Sequence, residues 1–495
     1  MNRQWSSKPF IYEINTRVWL TELSKRYGYH INLYNVPDEV IDDLASFGID
    51  AVWMMGIWTR GAASYRSALN YIHEYRGALP DVSEVDIAGS AYAIHDYQVE
   101  PLIGGREGLS VLRWRLGERG LRLILDFVPN HVSTDHRWTR EHPEYFVHST
   151  PDALKRHPGM FFMVEDVNGV KHAIAHGRDP YFPSWIDTAQ LNVFHPESRR
   201  AMKDTLLDIA SQCDGVRCDM AMLMLNDVFP RTWGSHITEG PPERDYWVEL
   251  VGAVRERQPN FLFMAEVYWD LQNVLLDQGF DLTYDKVLYD RLFEDDAAHM
   301  HQHLIADVNY QRRMVRFIEN HDEPRAAAAY GIERSKVGAV LISTVPGAVL
   351  LHDGQFTART VKLPVQIARQ PEEAPNLELE AFYRRLLAET RHPIYHEGNW
   401  QLLDSQFGKL LAYQWHYGDT RRLIVLNLSA QRLEDTILLS EWHGALPLKD
   451  VIENSMYKLD ENGCIVLSLD AYGYAILQQE THLHLENAEA QQAMS

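Results

Sequence analysis

Apolar residues in this chain gather into short runs, and the longer stretches between them carry helical spacing. Eight runs read as strands: 10–14, 49–54, 121–127, 215–219, 261–266, 280–284, 315–319 and 348–351. They are rich in Leu, Ile, Val and Phe and show little polar alternation, which is how parallel strands read when helices cover both faces. The intervening stretches include 38–46, 107–119 and 196–213. In the last of these Met202, Leu206, Ile209 and Ala210 share one face, and Pro196 suits a first helical turn, where its missing N–H costs nothing. Strand and helix alternating eight times predict an α/β fold, a closed (β/α)8 TIM barrel.

Two stretches break that rhythm. Between 133 and 187 the alternation lapses into aromatic, His- and Pro-rich segments (HPEYF, HPGMFF, DPYFPSW), which predict an insertion after strand 3 folded over the barrel mouth. Towards the C-terminus the runs become short and alternating (LLAYQWHY, RLIVLNLS, CIVLSLD, GYAILQQ) with turn residues between them, the pattern of an antiparallel β-sandwich. The expected domains are therefore a barrel from 1–132 and 188–395, an insertion at 133–187, a sandwich at 396–481, and a flexible polar tail at 482–495.

Composition narrows the partners. With 495 residues, 45% of them hydrophobic, the chain can bury a large core. Its net charge of −22, from 69 acids against 47 bases with no long basic run, argues against nucleic acid or an anionic membrane surface and for a neutral substrate. Three cysteines, Cys213, Cys218 and Cys464, are too few for a disulfide framework and fit a reducing compartment. The opening MNRQWSSKPF lacks the apolar segment of a signal peptide, and no stretch has the ~18 apolar residues of a membrane span. We expect a cytoplasmic protein.

The candidate chemistry lies where strands end. Four apolar runs finish in acids: LRLILDFVPNH at Asp126, GVRCD at Asp219, FLFMAE at Glu266 and RFIENHD at Asp322. On a parallel barrel the carboxyl ends of all strands converge on one face, so acids far apart in sequence can meet. Arg217, two residues before Asp219, points to the same side and favours an ionised Asp219. Glu266 follows Phe261, Leu262, Phe263, Met264 and Ala265, and burial among them would raise its pKa toward ~6, as an acid donor needs.

These segments, in this order, resemble four sequence regions of the α-amylase superfamily of retaining glycoside hydrolases (glycoside hydrolase family 13): DFVPNH, GVRCDMAML, AEVYW and ENHDEPR. GSAYAIHDYQVEPLIGG and WIDTAQLN resemble two further family segments, and the likeness extends over nearly the whole chain. The resemblance implies Asp219 as nucleophile, Glu266 as general acid/base and Asp322 as the group that grips ring hydroxyls and favours distortion, with the first two carboxyls ~5 to 5.5 Å apart. It also implies substrate contacts from His131 and His321, whose neutral rings offer both donor and acceptor, from Tyr92 as an aromatic platform, from Arg217, and from Arg325 closing the pocket. Trp185 is a candidate platform in the insertion, and Asp126 and Asn130 are expected to support strand 3 and the His131 loop.

Departures from the family pattern shape the expected specificity. Met222 and Leu223 stand where many family members that cut long chains carry a Lys-His pair contacting sugars beyond the scissile bond, and the eighth strand runs into LLHDGQ instead of a Tyr-Gly-acid-Glu pattern. The expected substrate is an α-glucosidic bond in a maltodextrin or short α-glucoside. The alternatives are transglycosylation to a sugar or polyol acceptor, and a non-catalytic carbohydrate-binding protein on the same fold. Secreted relatives hold calcium through the Asn of the first segment, insertion carboxylates and the carbonyl of the His after the nucleophile segment. Asn130 is present but that His is Leu223, so neither calcium nor another cofactor is expected.

Overall fold

The computed structural model describes residues 4–439, 442 and 447–479; the expected tail at 482–495 lies outside them. Eight strands form where the apolar runs lie: β1 (Phe10–Asn15), β2 (Ala51–Met55), β3 (Arg122–Phe127), β4 (Gly215–Cys218), β5 (Leu262–Ala265), β6 (Leu282–Tyr284), β7 (Met314–Arg316) and β8 (Ala348–His352). They close into a parallel barrel in which neighbours around the ring are neighbours in sequence. β2 and β8 are buried along their whole length, as expected for strands with helices outside and packed side chains inside.

Register decides which side chains share the interior. Glu13 of β1 lies opposite Trp53 of β2, and Arg217 of β4 lies opposite Asp126 of β3 and Met264 of β5. The helix Pro196–Gln212 that precedes β4 starts on its proline and buries Met202, Leu206, Ile209 and Ala210, the predicted face.

β7 ends earlier than its apolar run suggests, at Arg316 instead of Glu319. The side chain of Asn320 accepts the N–H groups of Asp322 and Glu323, both at 2.9 Å. That local turn draws the chain out of the ladder, because an Asn side chain competes with strand hydrogen bonding for nearby amides.

After β3 the chain runs through a short strand, His131–Ser133, which pairs antiparallel with Thr188–Gln190. Between them a three-stranded antiparallel sheet places Lys171–Ala175 between His148–Ser149 and Phe161–Glu165. The C-terminal region is an antiparallel sheet domain. Six strands, among them Leu411–Tyr417, Thr420–Leu426 and Tyr474–Gln479, form one sheet, and Leu433–Leu438 pairs with Cys464–Leu469 in another. One apolar cluster draws Leu423, Val425 and Leu477 from the first and Ile437, Ile465 and Leu467 from the second, so the two sheets share a core.

By its contacts the chain divides into two compact units. One contains Ile11–Tyr284 with Val361–Glu372, and the other contains Asp285–Thr360 with the chain from Glu373 onward. Asp219 and Glu266 belong to the first and Asp322 to the second. Among the described residues no helix is long and apolar enough to cross a membrane.

Candidate active site

One guanidinium organises the first unit's site. Arg217 is fully buried on β4, and its Nη1 donates to Asp219 Oδ1 at 2.7 Å while its Nη2 lies 2.8 Å from Glu266 Oε2. Nη1 also lies 3.7 Å from Asp126 Oδ1 on the neighbouring strand, and Nε reaches the Tyr284 hydroxyl at 3.4 Å. The rings of Trp53, Tyr92 and Tyr284 surround the cation at 5.3, 5.4 and 5.8 Å. Burial works against the guanidinium charge, but Glu266, Tyr92, Tyr284 and Asp219 outweigh it and hold the pKa well above the ordinary value. The predicted partnership of Arg217 with Asp219 is therefore present, and Arg217 reaches Glu266 as well.

The backbone after each acid completes the arrangement. Met220 adopts a left-handed conformation with φ 44°, uncommon for a residue with a side chain, and its N–H donates to Glu266 Oε2 at 2.7 Å. The Ala221 N–H donates to the Glu266 carbonyl at 3.0 Å, and the Tyr268 hydroxyl donates to Glu266 Oε1 at 2.8 Å. Glu266 is only 3% exposed, in line with its apolar run, but three polar donors surround its carboxyl group.

His131 begins the strand that leaves β3. It is buried beside Asn130, whose Nδ2 lies 3.2 Å from His131 Nδ1, and its ring centroid is 5.1 Å from that of Trp185. Burial pushes its pKa down to about 4 against the partial opposition of Asp187 and a backbone hydrogen bond at Tyr92, so the ring is neutral near pH 7. Gly177 leaves room for it: a Cβ there would stand 3.0 Å from His131 Cβ and 2.6 Å from Thr188 Oγ1.

In the second unit, Asp322 stands on the loop after β7 with its side chain 47% exposed, and His321 Nε2 lies 3.0 Å from its Oδ2. Arg325 is buried. Its Nη1 donates to Glu319 Oε1 at 2.6 Å, to the Asp353 carbonyl at 2.7 Å and to His352 Nδ1 at 2.9 Å, so these contacts tie the loop to the protein.

Several contributors escaped sequence reasoning. Met220 acts through its amide, which no residue pattern reports. Tyr268 lies two residues beyond Glu266 and Tyr284 closes β6; strand-end position is the one signal that could have found them. Glu13 is a charged residue inside the apolar FIYEIN strand and was an overlooked hint.

The calcium arrangement of secreted relatives does not fit these residues. Asn130 Oδ1, the oxygen such a site would use, accepts Gln190 Nε2 at 2.9 Å, so an amide donor occupies the position a cation would need. We expect activity to survive EDTA treatment; loss of activity that calcium restores would contradict this.

A second expectation concerns acid. His136 is also buried, and burial, then His95 and Arg137, push its pKa down to about 3. Both histidines are depressed from the ordinary 6.5, so the unfolded chain takes up protons that the fold refuses. Their stabilisation is complete above pH 6.5 and is lost as pH falls from there to about 4 for His131 and about 3 for His136, on the order of 3 to 5 kcal/mol for each. Melting curves should show Tm falling across that window, with a shallower fall in His136→Asn; parallel slopes would overturn the assignment.

Comparison with known proteins identifies the family. The family model for the alpha-amylase catalytic domain matches residues 38–378, which include Asp126, Asp219, Glu266 and Asp322. Alpha-amylase MalA of Haloarcula japonica is 26% identical over 361 residues, 71% of this chain and 44% of the relative, so the match spans under half of that protein. Alpha-amylase 3 of Dictyoglomus thermophilum is 20% identical over 94% of this chain and 92% of its own. The crystal structure of a maltogenic alpha-amylase, AmyB of Thermotoga neapolitana, shares the fold with a TM-score of 0.70, covering 97% of this chain and all of that one at 20% identity. Barrel, strand-end acids and matched catalytic domain together establish that the chain belongs to the alpha-amylase family.

Proposed function

We propose that the protein is a retaining α-glycosidase that cleaves α-glucosidic bonds of short malto-oligosaccharides or small α-glucosides by double displacement. The observation that carries this reading is the single buried guanidinium shared by two carboxylates, Arg217 at 2.7 Å from Asp219 and 2.8 Å from Glu266. In this reading Asp219 attacks the anomeric carbon while Glu266 gives its proton to the leaving oxygen, and a glycosyl ester forms on Asp219. Glu266 then takes a proton from water, the water oxygen bonds to the anomeric carbon, and the ester bond breaks.

Each surrounding group has a part. When Glu266 holds the proton on Oε1, the Tyr268 hydroxyl turns from donor to acceptor, which a phenol can do and a backbone N–H cannot. Neutral His131, together with His321, hydrogen-bonds sugar hydroxyls, Tyr92 supports the apolar face of the ring, and Asp322 grips ring hydroxyls on the donor sugar. Arg325 serves indirectly, by fixing the loop of His321 and Asp322 through Glu319. The unpaired cysteines support a cytoplasmic setting.

Preference for short substrates rests on Met222 and Leu223. Both are buried in the turn after Asp219, where they offer no polar side chain to a sugar beyond the scissile bond.

Asp219→Asn and Glu266→Gln should each lower turnover by at least ~10³-fold with the fold intact, because each removes a group that acts in the transition state. An Asp219→Asn enzyme with near-normal turnover would defeat the nucleophile assignment. NMR of fresh product should show the α anomer first; β product appearing first would mean inversion. Maltotriose should be cleaved faster per bond than soluble starch, and the reverse order would remove the argument from Met222 and Leu223.

A further inference from the structure

Tyr92, whose ring lies 5.4 Å from the Arg217 guanidinium, ends a short loop that is steered from outside the site. The loop runs from Gly89 through Ser90 and Ala91 to Tyr92. The Ser90 N–H donates to Ser64 Oγ at 2.8 Å, and Ser64 Oγ in turn donates to Asp187 Oδ2 at 2.7 Å. The Ser90 hydroxyl then accepts the Tyr92 N–H at 3.2 Å. Three hydrogen bonds thus run from the Asp187 carboxylate to the residue that carries the ring.

Ser64 is fully buried on the helix Ala62–Asn70. Its oxygen must accept one hydrogen bond while donating another, which a hydroxyl does and a methyl group cannot. The loop lies tight on that helix. Gly89 has φ 78°, and a Cβ on it would stand 3.0 Å from the Tyr65 nitrogen and 3.3 Å from Ser64 Oγ. The start of the helix presses on the strand His131–Ser133, where a Cβ on Gly61 would stand 1.9 Å from Ser133 Oγ.

Asp187 closes the insertion. It precedes the strand Thr188–Gln190, and its carbonyl accepts the Thr134 N–H at 3.1 Å. Its charge acts on His131, and His131 hydrogen-bonds the Tyr92 backbone, so one carboxylate bears on both the ring and the histidine. Arg60 holds the other end of the loop, Nη1 donating to the Gly89 carbonyl at 2.7 Å. With Gly89 fixed, the bond from Ser90 to Ser64 decides the direction in which the chain leaves toward Tyr92. Losing that bond turns the ring without releasing the loop.

We propose that Ser64 and Asp187 are positioning residues that hold Tyr92 as the platform for the donor sugar, so that the last residue of the insertion sets the ring against Arg217. This rests on the glycosidase reading, in which Tyr92 supports the sugar, and adds to it two residues that touch no substrate.

Two measurements test it. The first is kcat/KM for maltotriose in Ser64→Ala, Asp187→Ala and Asp187→Asn, each made in the unmodified enzyme and again in Tyr92→Ala. Ser64→Ala and Asp187→Ala should each lose ~10-fold, because a misplaced platform misplaces the reacting bond. Asp187→Asn keeps an oxygen that accepts from Ser64 and should stay within ~3-fold. In the Tyr92→Ala background the same losses should shrink below ~2-fold, since residues that act through one another are not additive. Equal losses in both backgrounds would overturn the proposal, and if Ser64→Ala does not fold, the two Asp187 variants carry this comparison. The second measurement is a crystal structure of Asp187→Ala without sugar, which should show the Tyr92 ring moved off Arg217; a ring left in place would overturn the coupling. If the unmodified enzyme cleaves no α-glucoside, the glycosidase reading falls and the position of the ring alone decides whether Asp187 steers it.

Discussion

Everything at the candidate site depends on keeping one guanidinium charged where it is fully buried. Asp126, Asp219 and Glu266 are all nearly buried around Arg217, and Glu13 lies in the same barrel interior. Desolvating several carboxylates is costly, and without a cation between them they would repel strongly at this low dielectric. Arg217 meets that constraint through geometry: its two terminal nitrogens face different acids, and three aromatic faces replace part of its lost hydration. A lysine, with one compact ammonium, could not bridge Asp219 and Glu266 in the same way.

The arrangement also constrains the backbone. β4 must hold Arg217 opposite Asp126, and the chain must then turn so that Met220 aims its N–H at Glu266. The left-handed conformation of Met220 is the local strain accepted for that aim. Two acids on neighbouring strands are thereby joined twice, once through a side chain and once through an amide.

Much of the fold was legible because buried parallel strands write themselves as apolar runs, and each of the eight runs overlaps a barrel strand. The acids were legible because they end those runs, and Arg217 because two residues along a strand return to the same side. What was hidden depends on tertiary placement. The reach of Arg217 to Glu266 and the hydroxyl of Tyr268 need neighbouring strands and loops to be positioned first. β7 ended early because Asn320 captures local amides, which an apolar run cannot report. Arg325 was legible from its segment, but its contacts with Glu319, His352 and Asp353 were not, because they need the loops after two strands to be placed first.

The antiparallel pairing of His131–Ser133 with Thr188–Gln190 fixes the two ends of the intervening segment side by side. Once the ends of a loop are fastened together, lengthening what lies between them costs little chain entropy, about 0.6 kcal/mol for each doubling. The clasp therefore separates the inheritance of the barrel from that of the segment it carries. Insertions, deletions or wholesale replacement between residues 134 and 187 can be accommodated while His131, on the clasp itself, stays in place.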